Sequence, residues 1–151
     1  MSAPRHHSDE LAQLYRDAIK RHAAEPVGYR VPIDATHRHE EYNPLCGDRI
    51  EVALIVRDGS VDAAAFDGEA CAICMASASL LCSLAPGQTP PELRALGRLL
   101  LQSLGIPAAP DPGRDHELPC PLHPLLGVRP YPSRIRCATL PWTAALRALE
   151  A

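Results

Sequence analysis

Three cysteines stand where converging side chains can do chemistry. Cys46 lies in the turn Tyr42-Asn43-Pro44-Leu45-Cys46-Gly47-Asp48, Cys71 between a hairpin and a helix, and Cys137 between a proline-rich stretch and a last helix. Boundaries of this kind let side chains from separate segments share one surface. Asp48 adds a carboxylate two residues after Cys46, and Gly47 lets the backbone curl so that both side chains can point one way. Three thiolates and one carboxylate suit a tetrahedral zinc ion, with sulfur at roughly 2.3 Å and oxygen at roughly 2.0–2.2 Å. The same sulfur donors suit iron–sulfur clusters. Aspartate exchanges more readily than thiolate. The mixture therefore suits a metal or cluster that is handed on, or a thiolate that must come free, better than a permanent lock. Cys71 opens a helix, where free N–H groups and the helix dipole favour an anion and hence the thiolate.

The elements that must position these residues follow from periodicity. Residues 9–24 read as an amphipathic helix through Leu11, Leu14, Tyr15, Ala18, Ile19 and His22, ended by Pro26 and Gly28. A short edge strand is expected around Tyr29 to Val31. Ile50, Val52, Leu54 and Val56 alternate as a strand with one buried face, Asp58-Gly59 turns, and Val61 to Phe66 returns. Asp67 to Ala70 reads as a further turn. Cys71 to about Leu84 is a closely packed helix rich in alanine and serine. Thr89 caps another, with Pro90 in its first turn, running to about Leu104. Prolines crowd into Gly105 to Ser133, which reads as an irregular excursion held down by Leu118, Leu122, Leu125, Leu126 and Val128. A last helix after Cys137 uses Trp142, Ala145, Leu146 and Leu149. Helix, strands, then helices predict an α+β fold: a small antiparallel sheet with helices packed on one face.

Composition bounds the function. The 151 residues suit one domain spanning 1–151, with the proline-rich insertion at about 105–133, and 46 % apolar residues can fill its core. A net charge of −3 offers no basic face for nucleic acid or an anionic membrane. No apolar run reaches the roughly 18 residues of a membrane span. Met1 to Glu10 does not read as a secretory signal, so a cytoplasmic location is expected. Thiols stay reduced there, and six cysteines then favour metal or thiol chemistry over disulfides.

The other candidate residues have plainer readings. Cys71-Ala72-Ile73-Cys74 is a C-x-x-C at a helix start, but a thioredoxin pattern around it is missing, and Cys74 reads as a small packed thiol. Cys82 is expected in the core and Cys120 in an exposed or half-buried loop. His37 and His39 read as solvated loop residues, His6 and His7 as part of a frayed end, and His116 and His123 as members of the excursion. Asp67 and Glu69 read as turn and helix-start residues. Arg49 pairs with a carboxylate or is solvated. Trp142 reads as a core anchor.

Three segments, met in order, resemble a known family. Asn43-Pro44-Leu45-Cys46-Gly47-Asp48-Arg49-Ile50 is similar to an N-P-x-C-G-D-x-[IV] motif. Phe66 to Ser79, containing Gly68, Cys71, Ile73 and Ala76-Ser77-Ala78-Ser79, is similar to F-x-G-x-[GA]-C-x-I-[SC]-x-A-S-[AS]-S. Arg134-Ile135-Arg136-Cys137-Ala138-Thr139-Leu140-Pro141-Trp142 is similar to R-[IV]-x-C-[AV]-x-L-x-W. Leu14-Tyr15-Arg16, Ile19 and His22 match the opening of the same family. It is the family of IscU, SufU and the N-terminal domain of NifU, which serves iron–sulfur cluster assembly. Arg136 stands where the IscU type has histidine, no L-P-P-V-K segment precedes it, and the stretch between Cys71 and Cys137 is long. These features resemble the SufU branch.

The resemblance implies a SufE/NifU-like fold and Cys46, Asp48, Cys71 and Cys137 as zinc ligands. It implies Cys46 as acceptor of persulfide sulfur once a partner draws it off zinc, with Arg136 as a charged neighbour. The implied partners are a SufS-like, pyridoxal-phosphate-dependent cysteine desulfurase and downstream assembly or recipient proteins. A SufU-type protein would act as a sulfurtransferase. The alternative is a non-enzymatic scaffold, binding iron, on which a [2Fe–2S] cluster held by Cys46, Cys71 and Cys137 is built and handed on. A structural zinc module is a third reading, disfavoured by the exchangeable Asp48. The sequence departs from the family at Ala23-Ala24-Glu25-Pro26-Val27 after His22, at Cys74 where serine is usual, and in its prolines.

Overall fold

A computed structural model describes residues 3–106 and 117–150. The elements are α1 (Ala3–Ala24), β1 (His37–Asn43), β2 (Asp48–Arg57), β3 (Ser60–Glu69), α2 (Ala72–Leu84), α3 (Pro90–Ser103), a 3-10 helix (Cys120–Val128) and α4 (Pro132–Ala148). The strands form one antiparallel sheet in the order β1-β2-β3. The α+β arrangement read from the sequence is therefore the one observed.

The sheet has a buried and an open face because β2 alternates. Ile50, Val52 and Leu54 are fully buried, while Glu51 and Ile55 are only partly covered. They meet Phe66, Leu81, Leu93, Leu100, Leu122, Leu125 and Trp142 in one core. Each such side chain contributes about 1.5–3 kcal/mol by leaving water. The helix α4 packs on β1 and β2, α2 on β3 and α4, and α1 on α2. Small residues let α2 and α4 approach closely: Ala76, Ser77 and Ala78 are fully buried, and Ser77 Oγ donates to the Ala138 carbonyl at 2.5 Å.

Several local expectations hold. Asp58 and Gly59 turn the β2–β3 hairpin with positive φ. Thr89 caps α3, with a reciprocal capping box to Glu92 and proline in the first turn. Leu118, Leu122, Leu125 and Val128 are buried, and Trp142 is a fully buried core residue.

Others are corrected. The edge strand is His37–Asn43, not Tyr29–Val31, which makes only a single parallel bridge from Tyr29 to Phe66. Strand β1 is too charged to signal itself by apolar alternation. It half-buries alternate side chains and completes its hydrogen bonds with β2. His37 and His39 therefore lie on a strand, not a loop. Asp67 to Glu69 continue β3, with Gly68 (φ +147°) so close to the Arg49 carbonyl that no Cβ fits. The helix α4 begins at Pro132, so Cys137 sits inside it instead of before it. Pro132 occupies the first turn, where its missing N–H costs nothing. Part of the excursion is regular, since Cys120–Val128 forms the 3-10 helix. The side chains of His6 and His7, and residue His116, lie outside the described residues.

Candidate metal centre

Strand register brings the site together. Asn43 pairs with Asp48 across β1–β2, and Arg49 pairs with Glu69 across β2–β3. The β1–β2 turn carrying Cys46 thus lies beside the junction where β3 gives way to Cys71. Turn geometry is set by Asn43, which accepts the Leu45 N–H on its Oδ1 at 3.1 Å and the Gly47 N–H on its carbonyl at 2.8 Å. Gly47 has φ +78°, a conformation that glycine adopts without strain. The third segment arrives on α4, which presents Cys137 against this end of the sheet.

One ligating atom each from Cys46, Asp48 and Cys137 lie within 4.8 Å of one another. Cys46 is exposed, whereas Asp48 and Cys137 are buried. Asp48 is split between two tasks. Its Oδ1 accepts the Cys71 N–H at 3.1 Å and pins the start of α2. Its Oδ2 is sealed from solvent without a hydrogen-bond partner. A buried carboxylate oxygen left alone costs on the order of 1–3 kcal/mol or more, so this atom points to a ligand in the space the thiols border. The donor chemistry fits zinc: sulfur and carboxylate oxygen.

Cys71 stands beside this group as the N-cap of α2, exposed and with no side-chain capping bond. Its sulfur is not among the ligating atoms that lie within 4.8 Å of one another. Burial, then Cys71 and Asp48, hold the Cys137 proton on far beyond the ordinary thiol range, and Cys137 Sγ donates to the Ser133 carbonyl at 3.4 Å. Metal binding must displace that proton. Arg136, one residue earlier on α4, is exposed, and its carbonyl accepts from the Thr139 hydroxyl at 3.3 Å.

The reading of Cys74 as a small packed thiol holds, and its neighbours add to it. Cys74 is fully buried, and its proton is held on by burial first and then by the charges of Asp48, Cys71, Cys137 and Cys46, so it faces the same cluster. The signal was its spacing of three from Cys71. Cys82 is a core thiol, pushed up to about 12 by burial, and Cys120 is exposed. Arg49 pairs with Glu40 at 2.8 Å, and Asp67 with Arg30 at 3.0 Å. His39 meets Glu41 at 3.0 Å, His37 meets Thr36 at 2.8 Å, and His123 meets the Leu118 carbonyl at 2.8 Å. None of these three histidines belongs to the ligand group found among the described residues. No helix of the described residues is long and apolar enough to cross a membrane.

A three-stranded antiparallel sheet covered by helices, with cysteines and an aspartate gathered at one end, defines a small thiolate-centre domain. The model of the NifU-like N terminal domain matches residues 14–105, and this chain belongs to that family. The match stops where the proline-rich stretch begins. The chain is 31 % identical over 137 residues to the zinc-dependent sulfurtransferase SufU of Bacillus subtilis, covering 89 % of this chain and 88 % of that one. It is 29 % identical over 144 residues to the iron–sulfur cluster assembly scaffold protein IscU of Streptococcus pyogenes, covering 93 % and 86 %. The crystal structure of a nitrogen-fixing NifU-like protein (N-terminal) from Brucella abortus superposes with a TM-score of 0.69 at 26 % identity, covering 88 % of this chain and 90 % of that one.

Proposed function

We propose that this chain is an iron–sulfur cluster assembly protein of the SufU type, a zinc-dependent acceptor of persulfide sulfur from a cysteine desulfurase. Cys46, Asp48, Cys71 and Cys137 hold the zinc, which keeps the thiols ionised and ordered. The observation that carries the reading is the orphaned, buried Asp48 Oδ2 beside the thiols of Cys46 and Cys137.

Within this reading the residues divide the work. Cys46 is the acceptor because it is exposed on a turn, next to Leu45, which is 77 % exposed. Its thiolate attacks the outer sulfur of the donor's persulfide. A new sulfur–sulfur bond forms on Cys46, the donor's bond breaks, and the donor cysteine leaves as a thiolate. Cys137 is buried on α4 and stays in place. Asp48 fixes Cys71 through its amide while offering Oδ2 to the metal. Arg136 supplies positive charge beside the developing anion. The donor is a pyridoxal-phosphate enzyme of the SufS kind, the loaded chain passes sulfur to downstream assembly proteins, and the setting is cytoplasmic. The chain acts as one domain, with residues 105–133 as an insertion.

The same donors suit a [2Fe–2S] cluster as cargo, and a relative named as an IscU scaffold favours that second reading. Protein purified without air separates the two: a colourless chain with stoichiometric zinc supports sulfur transfer, and a brown, iron-containing one supports the scaffold. In the sulfur-transfer assay, Cys46→Ala is expected to abolish desulfurase-dependent persulfide formation, read by intact mass, while zinc binding is only weakened. Equal sulfur uptake by mutant and parent contradicts the assignment.

A further inference from the structure

The start of α2 holds a thiol that sulfur acceptance does not use. Cys71 is the N-cap, with extended backbone (φ −67°, ψ 166°), and Cys74 is the third residue inside the helix. Cys71 and Cys74 are three positions apart across the first turn of α2, a spacing that makes two side chains neighbours on one helix face. The Met75 N–H to Cys71 carbonyl bond, 2.9 Å, closes that turn. Cys71 makes no capping bond, so its sulfur is not committed there. The two thiols differ in access: Cys71 is exposed and Cys74 is fully buried.

We propose that Cys71 and Cys74 form a reversible disulfide when the protein meets a hydroperoxide, an oxidation site that withdraws one donor from the metal centre. Its selectivity rests on the zinc reading: with Cys46, Cys71 and Cys137 as the sulfur ligands, Cys74 is the nearby thiol that is not one. In the first step the Cys71 thiolate attacks the terminal peroxide oxygen. The oxygen–oxygen bond breaks, Cys71 becomes a sulfenic acid, and the alkoxide or hydroxide leaves and takes up a proton. In the second step Cys74 sulfur attacks the Cys71 sulfur. The sulfur–sulfur bond forms, the sulfur–oxygen bond breaks, and hydroxide departs with the Cys74 proton as water. Two thiols lose two electrons in total, and the peroxide gains them. The buried partner captures the sulfenic acid before further oxidation to the irreversible sulfinic acid. Thiol–disulfide exchange with a small thiol then restores both cysteines and the metal site.

The test treats the zinc-loaded full-length chain with stoichiometric hydrogen peroxide and maps cysteines by mass spectrometry after alkylation. Two of the six thiols are expected to disappear, joined as a Cys71–Cys74 link, with zinc released and taken up again after reduction. Cys74→Ser, checked for folding by circular dichroism, should give no link, and its Cys71 should end as sulfinic acid with zinc binding not restored. In the parent, a link from Cys71 to Cys137 or Cys46, or a Cys74 that remains alkylatable while Cys71 is over-oxidised, overturns the pair. Failure to load zinc before any oxidant counts against the sulfur-acceptor reading instead. The cysteine map of the zinc-free chain then decides the pair by itself: a Cys71–Cys74 link supports it, and any other link overturns it.

Discussion

The two ends of α2 bury similar side chains and treat them differently. At its start, Asp48 Oδ2 is sealed without a partner, Cys71 is left uncapped, and Cys74 faces a cluster of thiols. Toward its end, Ser79 is equally buried but fully used. It accepts the Val27 N–H at 2.8 Å and lies 2.8 Å from His22 Nδ1, tying α1 and the chain after it to α2. Cys82, one turn on, packs so closely on Gly28 (φ +81°) that an added Cβ would lie 2.9 Å from its sulfur. A satisfied network stabilises the fold, whereas an unsatisfied buried acceptor costs stability and awaits a ligand. The cysteine count alone does not separate the two ends; the partners of the neighbouring oxygens do.

The contrast can be broken from either side. Removing the orphan should empty the site and spare the fold. Asp48→Asn, which keeps an oxygen for the Cys71 N–H, is expected to lower zinc affinity about 100-fold or more, by analogy with losses of 10–100-fold for mere supporting groups, with the melting temperature of the metal-free chain little changed. A competition titration with a chelator reads the first and calorimetry the second. Ser79→Ala should do the reverse. It removes the acceptor of the Val27 N–H and the partner of His22, costing about 0.5–1.5 kcal/mol per bond in denaturant unfolding, while zinc affinity stays at the parent value.

The smallest effect sharpens the structural end. Burial first, then Arg21, lower the pKa of His22 below its ordinary 6.5, so the fold prefers the neutral ring that accepts from Ser79. A folded-state pKa below the unfolded one gives stability that is complete above about pH 6.5 and is lost as pH falls through the folded value. Melting temperature should therefore drop between about pH 7 and pH 5, and His22→Gln should flatten that slope. An unchanged slope contradicts the role given to His22.

How much of this was legible in the sequence depends on the range of each interaction. The β2–β3 hairpin and the Thr89 cap are local, so Asp58-Gly59 and Thr89-x-x-Glu92 announce them. Strand β1 is stabilised by its neighbour and not by its own composition, and His37–Asn43 carries too many charges to show alternation. Pro132 reads as punctuation unless its place in a first turn is recognised, which hid five residues of α4 before Cys137. At the site, the convergence of Cys46, Asp48 and Cys137 followed from the motifs, since Cys137 lies inside α4 and not at a boundary. The division of Asp48 between an amide and an empty direction needs coordinates, as does the His22–Ser79 bond, which joins residues 57 positions apart.

The central claim is that Cys46, Asp48, Cys71 and Cys137 hold one zinc ion. X-ray absorption at the zinc edge tests it most directly. The account predicts three sulfur scatterers at about 2.3 Å and one oxygen at about 2.0–2.2 Å, with the oxygen lost or replaced by water in Asp48→Ala and one sulfur lost in Cys71→Ala. A shell of nitrogen and oxygen alone, or of four sulfurs that includes Cys74, contradicts it.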